Sequence, residues 1–294
     1  MTTAEVNLNP EMVELVKHFV NQRHKAFLGE PVEDDIVRTR KFTNVFRVLD
    51  RGSQYLLQLM NEYGMDELED RLALSYFYRQ VNRPDTMDDI IKQNDGYIPT
   101  FEDITNPLWY DKVVAPVAAR REGEFLSGAY IILIKPGYKA GTVAKMREMF
   151  PGARDYLAET ARVMEIEDRV SHMHKTPGVG PFLAMQIATD MGYCEGEEDQ
   201  ENDFVLAGPG SRKGAKHVAD VPAELVIDAF PYEELPTLPG SNGRPPSLMD
   251  MQNVFCEFSK YMRYRGHTYV ANMPPTYKRK PPYEISIPSH FVEK

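Results

Sequence analysis

Three segments of the sequence combine glycine, cations and carboxylates at spacings that suit the chemistry of phosphate esters. The first runs from His174 to Asp190, where Pro-Gly-Val-Gly opens onto an apolar helical pattern. Gly178 and Gly180 carry no Cβ, so their backbone can adopt crowded or left-handed conformations and present N–H groups to another surface. At the start of a helix, such groups form a phosphate-binding turn. Ordinary turns before helices have the same composition, and that alternative stays open here.

The second segment is RTRKFTNVFRVLDR, from Arg38 to Arg51. If it is helical, its polar residues share one face and its apolar residues share the other. The polar face would carry Arg40, Thr43, Asn44, Arg47 and Asp50. A solvated stripe with intrahelical ion pairs explains this face equally well, although Thr and Asn are weak helix formers that add little to such a stripe.

The third segment, Asp203 to Gly214, reads DFVLAGPGSRKG and begins about 23 residues beyond Gly180. It joins a carboxylate to a second glycine-rich turn, which contains Gly208 and Gly210, and to two cations, Arg212 and Lys213. Backbone N–H groups beside cations suit an oxyanion or a pyrophosphate. The GxxxxGK[ST] order of a Walker P-loop is absent, which disfavours an ATP-hydrolysing or kinase function.

The composition predicts a soluble globular protein with a default location in the cytoplasm, or in the host cytoplasm if the gene is viral. The chain has 294 residues, 42% of them hydrophobic, and a net charge of −10. We expect no membrane span and no signal peptide. Cys194 and Cys256 are expected to be reduced thiols, and the scattered histidines indicate no metal site. Basic stretches at 211–217 and 260–280 could form a local cationic face, or they could be ordinary solvated loops.

The hydrophobic periodicity predicts a mostly α protein. Helices are expected at 10–27, 38–63 with an interruption at Gly52, 65–80, 87–95, 101–121, 140–149, 155–165, 223–230 and 247–264. The apolar run Gly128 to Ile134 is equally compatible with a strand or a helix. We expect one helical domain over residues 1–294, with a helix-hairpin-helix element near 160–191 and an extended proline-rich tail at 272–294.

Four stretches, taken in order, resemble those of a bacteriophage family, the α-glutamyl/putrescinyl thymine pyrophosphorylases, also described as amino acid:DNA transferases. They are RKFTNVFRVLDR at 40–51, TPGVGPFLAMQIATD at 176–190, DFVLAGPGSRKG at 203–214 and FCEFSKYMR at 255–263. The chain is also similar to the helical domain attached to some 5-hydroxymethyluracil DNA kinases. The resemblance implies a fold like that of helix-hairpin-helix DNA glycosylases, with the hairpin holding DNA phosphate and the target base flipped out of the stack.

The resemblance also implies a reaction on DNA that carries 5-(pyrophosphoryloxymethyl)uracil, in which an amino acid or a polyamine replaces pyrophosphate. The base inside a duplex is unreachable and must be flipped or met in an opened strand. Under this hypothesis the catalytic candidates are Asp203, Asp190 and Asp50 as general bases, with Arg47 and Asn44. The candidates for binding substrate or pyrophosphate are Arg40, Thr43, Gly208, Gly210, Arg212, Lys213 and Lys260. The DNA-binding candidates are Lys175, Gly178, Val179 and Gly180.

Two other functions stay open from the sequence. One is a monofunctional glycosylase, with Asp203 stabilising the sugar of a modified pyrimidine nucleotide. The other is a non-catalytic helix-hairpin-helix module that binds DNA. Phe182 stands in the hairpin where bifunctional glycosylases keep a lysine nucleophile, which argues against imine chemistry. We expect no required cofactor, although a divalent cation could assist the departure of pyrophosphate. The sequence does not specify which amine is transferred.

Overall fold

The computed structural model describes residues 6–62, 65–127, 139–194, 197–266 and 285–292, which are mostly helical and contain no β-strand within those ranges. The helices are α1 (Pro10–Leu28), α2 (Asp35–Thr39), α3 (Arg51–Glu62), α4 (Leu68–Val81), α5 (Pro84–Gln93), α6 (Phe101–Ile104), α7 (Pro107–Trp109), α8 (Ala115–Arg120), α9 (Lys139–Met149), α10 (Arg154–Ala161), α11 (Ile166–Met173), α12 (Pro181–Met191), α13 (Pro209–Ala215), α14 (Ala223–Asp228) and α15 (Leu248–Arg265). The predicted mostly α class is therefore confirmed.

The chain divides into two compact units. The first unit combines residues 1–50 with residues 201–294, so it is built from both ends of the chain, and the second unit comprises residues 51–200. The expectation of one helical domain stays a prediction. The ambiguous run Gly128 to Ile134 lies outside the described residues, as does the proline-rich tail apart from 285–292.

In the first unit, α1 begins and ends where the sequence signals place it. The Asn9 side chain accepts hydrogen bonds from the backbone N–H groups of Glu11 and Met12, and Pro10 occupies the first helical position. Gly29 ends the helix in the left-handed region, with φ of 79°. The buried face of α1 carries Phe19, whose ring packs against several aromatic rings. These rings belong to Phe42, Phe258 and Tyr261.

Helices α13 and α15 pack so closely that glycine is required at their contact. A Cβ built at Gly214 would overlap the carbonyl oxygen of Phe255, and one built at Gly210 would overlap the Sγ of Cys256. The start of α15 is fixed by a reciprocal capping box between Ser247 and Asp250. This cap confirms the helix predicted from residue 247.

The second unit has an aromatic core around α4. Tyr76, Phe77, Tyr110 and Phe150 are fully buried, and Trp109 contacts two of these rings edge-on. Helices α11 and α12 pack against each other, and α12 also packs against α4. The segment 174–180 joins α11 to α12, so the predicted hairpin region does contain two helices and a connecting turn.

The continuous helix predicted over 38–63 is wrong in its first half. The chain leaves α2 at Thr39, runs irregularly, forms a short 3₁₀ turn at Arg47–Leu49, and becomes helical again only at Arg51. The Nε of buried Arg23 donates hydrogen bonds to the carbonyl oxygens of Phe42 and Thr43, at 3.2 and 2.8 Å. Because those carbonyls have tertiary partners, they do not enter a helical hydrogen-bond ladder.

The helix predicted over 101–121 is also broken, into α6, α7, a π turn at Tyr110–Val114 and α8. Pro107 lacks the N–H that a continuous helix would need at that position, and it starts α7 after the Asn106 cap. The remaining predicted helices correspond to α4, α5, α9, α10 and α14, with shifted ends.

The contact between α13 and α15 yields a stability prediction. Replacing Gly214 by Ala forces backbone apart from backbone, and we expect a loss of at least about 1–3 kcal/mol in the free energy of unfolding. Gly266→Ala is the matched control, because the nearest atom to its added Cβ lies at an ordinary 3.7 Å. Urea denaturation measures both. Equal stability of the two variants would contradict the close approach of the helices.

Candidate active site

Residues 40–50, here called the motif loop, form a connected polar cluster in the first unit. The guanidinium of Arg23 holds two carbonyls of this loop and also contacts the Oδ1 of Asn44. Asn44 in turn donates its backbone N–H to Asp50 at 2.9 Å and its side-chain N–H to the carbonyl of Leu49. The irregular backbone of the loop is therefore fixed by side chains rather than by a helix.

Helix α15 supplies the second set of partners for the motif loop. Asp250, Asn253 and Glu257 are spaced by three and four residues, so they lie on one face of the helix. The carboxylate of Asp250 accepts the N–H of Arg47 at 2.7 Å, and that of Glu257 accepts the N–H of Thr43 at 3.0 Å. Asn253 donates to the carbonyl of Asn44 at 3.0 Å. This face of α15 thus determines the path of the loop.

Asp50 is a half-buried carboxylate at the end of the motif loop. Burial raises its pKa from 3.8 to about 6, against the opposing effects of the Asn44 N–H and the charges of Arg23 and Arg47. A carboxylate with this pKa is ionised at neutral pH and is still basic enough to accept a proton from an amine. Asp50 is therefore a candidate general base.

Arg244 faces two buried carboxylates, those of Glu201 and Asp250. Arg244 pairs with Glu201 at 2.8 Å and lies 3.7 Å from the Oδ2 of Asp250. Burial, with a further contribution from the nearby Glu201 charge, raises the pKa of Asp250. The capping box and the Arg47 N–H already engage Asp250, so its role is to hold the loop and the helix start together.

Cations and aromatic rings border the motif loop. The guanidinium of Arg40 lies 4.7 Å from the centre of the Tyr264 ring, and the Nζ of Lys260 lies 5.5 Å from that of Phe42. Since the Phe42 and Tyr264 rings contact each other at 6.2 Å, the two cations flank one aromatic pair. Lys260 also pairs with Glu257 at 2.6 Å. Thr43, beside them, is exposed.

The third sequence segment, 203–214, also lies in the first unit. Gly208 precedes α13 with extended backbone, and Gly210 faces Cys256 of α15, so Gly210 accommodates helix packing. Arg212 and Lys213 are exposed on α13 and have no ion-pair partner among the described residues. Asp203 is an exposed carboxylate in a turn, also without a partner in the described part of the chain.

The hairpin candidates belong to the second unit. Gly178 has φ of 78°, which favours glycine, and the hydroxyl of Tyr76 donates to the carbonyl of the preceding Pro177 at 3.0 Å. Lys175 and Gly180 are exposed, whereas the Val179 side chain is buried. Val179 could therefore meet a ligand through its backbone only.

Asp190 forms an ion pair inside the second unit. Its two oxygens accept from Nε and Nη2 of Arg79 at 2.5 and 2.7 Å, and Arg79 also reaches the hydroxyl of Ser53. The Arg79 and Asp190 side chains are 4% and 1% exposed. This bidentate, buried geometry gives Asp190 a structural role.

Arg23, Asp250 and Asn253 were not among the residues predicted from the sequence. The signal for Asp250 and Asn253 was their spacing with Glu257 and Lys260 along one helix face. No sequence pattern pairs that face with a segment some 200 residues earlier.

Neither a metal site nor a membrane helix is found within the described ranges. No group of three or more His, Cys, Asp or Glu side chains there is arranged to hold a metal ion. None of the described helices combines the length and apolar character needed to span a bilayer. The two cysteines are free thiols.

A comparison with protein families identifies the family of the chain. The family described as "5-hmdU DNA kinase, helical domain" matches residues 10–270, which include the motif loop, the hairpin and α15. The chain belongs to this family. Membership indicates a role in DNA modification connected with thymine hypermodification. No curated protein and no solved structure matches the chain significantly.

The surroundings of Asp190 and Asp203 predict a large loss of stability on substitution of the first residue and almost no change on substitution of the second. Asp190→Asn leaves the Arg79 guanidinium buried without its counter-charge, and we expect a loss of about 3–5 kcal/mol in unfolding free energy. Asp203→Asn, at an exposed site, should change stability by less than about 0.5 kcal/mol. Urea denaturation of both variants tests this. A wild-type midpoint for Asp190→Asn would remove its structural role.

The raised pKa of Asp50 predicts a pH-dependent difference in stability. Between about pH 4 and 6 the unfolded chain has lost this proton and the folded chain still binds it, so ionisation costs folding free energy as pH rises. Asp50→Asn avoids the cost and keeps an oxygen for the Asn44 N–H. Relative to the wild type, its stability should rise by up to about 3 kcal/mol across that window and then level off. A stability difference between Asp50→Asn and the wild type that stays constant from pH 4.5 to 7.5 would contradict the raised pKa. Asp203→Asn is the control.

Proposed function

We propose that the protein is a bacteriophage-type transferase that replaces pyrophosphate on 5-(pyrophosphoryloxymethyl)uracil in DNA by an amine. The observation that carries the proposal is the motif loop, held on α15 with a basic carboxylate, Asp50, at its end and two cations, Arg40 and Lys260, around its aromatic pair. Membership of a family named for a kinase of 5-hmdU in DNA supports the substrate class.

The reaction needs one proton acceptor and one set of anion-binding groups. The amine nitrogen forms a bond to the methylene carbon of the base, and the carbon–oxygen bond to pyrophosphate breaks with its electron pair on oxygen. An amino group is protonated at neutral pH, so the nitrogen loses one proton before its lone pair can form the bond, and we assign the acceptance of that proton to Asp50. Asn44, which is hydrogen-bonded to Asp50, positions that carboxylate, and Arg47 adds a nearby positive charge.

The leaving pyrophosphate requires fixed positive charge. Arg40 and Lys260, each seated on an aromatic ring, are restrained before substrate arrives, so little ordering is left for the reaction to complete. Thr43 is exposed beside them and could donate to a phosphate or to the edge of the pyrimidine. Arg212 and Lys213, exposed on α13, are the second candidate pair. A divalent cation could assist departure.

The hairpin is assigned to DNA binding. Helix α12 starts after Gly180 without a side-chain cap, so the positive end of its dipole can attract a phosphate oxygen, and Lys175 lies exposed in the preceding turn. This use matches a helix-hairpin-helix glycosylase-like fold that flips the target base, at a cost of a few kcal/mol.

A single assay tests the transfer. Purified protein is incubated with pyrophosphorylated DNA and an amino acid or putrescine. The DNA is then digested to nucleosides, and their masses are determined by mass spectrometry. We expect an amine adduct with release of pyrophosphate, and a fall of about 10²-fold or more in rate for Asp50→Asn. Wild-type activity should rise with pH through about 6 as Asp50 ionises.

Three outcomes separate the alternatives in that assay. Abasic sites instead of adducts would indicate a glycosylase and overturn the transfer. Loss of activity in Asp203→Asn but not in Asp50→Asn would move the base to Asp203. DNA binding without any chemistry, for every amine tried, would leave a DNA-binding module.

A further inference from the structure

A cleft of about 440 Å³ lies in the second unit, between α3 and α5. Its size falls in the range of about 300–1,000 Å³ that small-molecule sites occupy. Its lining combines apolar and charged side chains: Tyr55, Gln58 and Leu59 come from α3, and Asp88, Ile91 and Lys92 come from α5. None of these residues takes part in the polar networks described above.

Two opposite charges in the cleft do not neutralise each other. Asp88 and Lys92 lie one turn apart on α5, with the acid first, which is the favourable order for an ion pair. Asp88 instead accepts a hydrogen bond from the hydroxyl of Tyr55. Lys92 has no ion-pair or hydrogen-bond partner in the described part of the chain. The cleft therefore combines a hydrogen-bonded carboxylate with an ammonium group that has no partner in the described part of the chain, on residues about 6 Å apart along the helix axis.

We propose that this cleft binds a free α-amino acid as a zwitterion. The ligand's ammonium group would meet Asp88, its carboxylate would meet Lys92, and its aliphatic part would lie on Leu59 and Ile91. The identification of the ligand as the amine donor rests on the proposed function.

The same charges select against a diamine. Putrescine could place one ammonium group at Asp88, but the other would meet the like charge of Lys92, which is unfavourable at short range. The sequence does not specify the transferred amine, and this cleft favours an amino acid over a polyamine.

Binding is measured first without DNA. The full chain is titrated with glycine, serine, glutamate and putrescine, by calorimetry or by ligand-observed NMR. We expect binding of at least one amino acid and much weaker binding of putrescine. Asp88→Asn and Lys92→Gln should each weaken amino-acid binding by about tenfold or more, the effect of losing a charge-assisted hydrogen bond. Asp95→Asn and Lys112→Gln, exposed residues of the same unit outside the cleft lining, are the controls.

A charge reversal gives the sharper test. Lys92→Glu places two carboxylates one turn apart, so amino-acid binding should be lost and putrescine binding should appear. All of these side chains are exposed, so the variants are expected to fold, and circular dichroism checks this. No binding of any amino acid, or binding that is unchanged in Asp88→Asn and Lys92→Gln, would overturn the proposal.

The two proposals can fail separately. If adducts form on DNA with wild-type dependence on amino-acid concentration in Asp88→Asn and Lys92→Gln, the cleft proposal fails and the transfer stands. If amino acids bind in the cleft but no adduct forms on any DNA substrate, the transfer fails and the binding site stands.

Discussion

The carboxylate of Asp250 has two structural roles, and the positions of the motif loop and of the start of α15 depend on it. One oxygen caps α15 through the N–H of Ser247, while the other holds the N–H of Arg47 in the motif loop. The start of the helix and the path of the loop are therefore fixed by one side chain. Arg244 compensates its charge from behind, together with that of Glu201. The two N–H groups are accepted by different oxygens of Asp250, so an amide at 250, with one acceptor oxygen, could not replace both hydrogen bonds in the same geometry.

The charge balance inside the first unit contrasts with the acidity of the whole chain. The net charge is −10, yet two buried arginines, Arg23 and Arg47, lie close to Asp50 at the motif loop. These cations stabilise the ionised form of Asp50, and burial opposes them, so its pKa is a balance of two large effects. Net charge describes long-range solubility and steering, and it carries no information about such a local balance.

The sequence predicted the helical class and most helices, because capping residues and apolar periodicity are local signals. Pro10 with Asn9, and Ser247 with Asp250, are examples of such signals. The motif loop could not be predicted in this way. Its polar residues match a helical period by coincidence of spacing, and the partners that prevent the helix, Arg23 and the face of α15, are distant in sequence. Asp190 likewise could not be assigned without Arg79, which lies 111 residues away.

Glycine-rich turns in this chain serve at least two physical purposes, and their letters do not distinguish them. At Gly178 the backbone occupies the left-handed region, so the need for glycine is conformational. At Gly210 and Gly214 the backbone is helical and the need is spatial, because α15 leaves no room for a Cβ. A turn of the first kind can point N–H groups at a ligand. Glycines of the second kind face a protein helix with their Cα, and the exposed Arg212 and Lys213 are cations of α13 that an anion could meet.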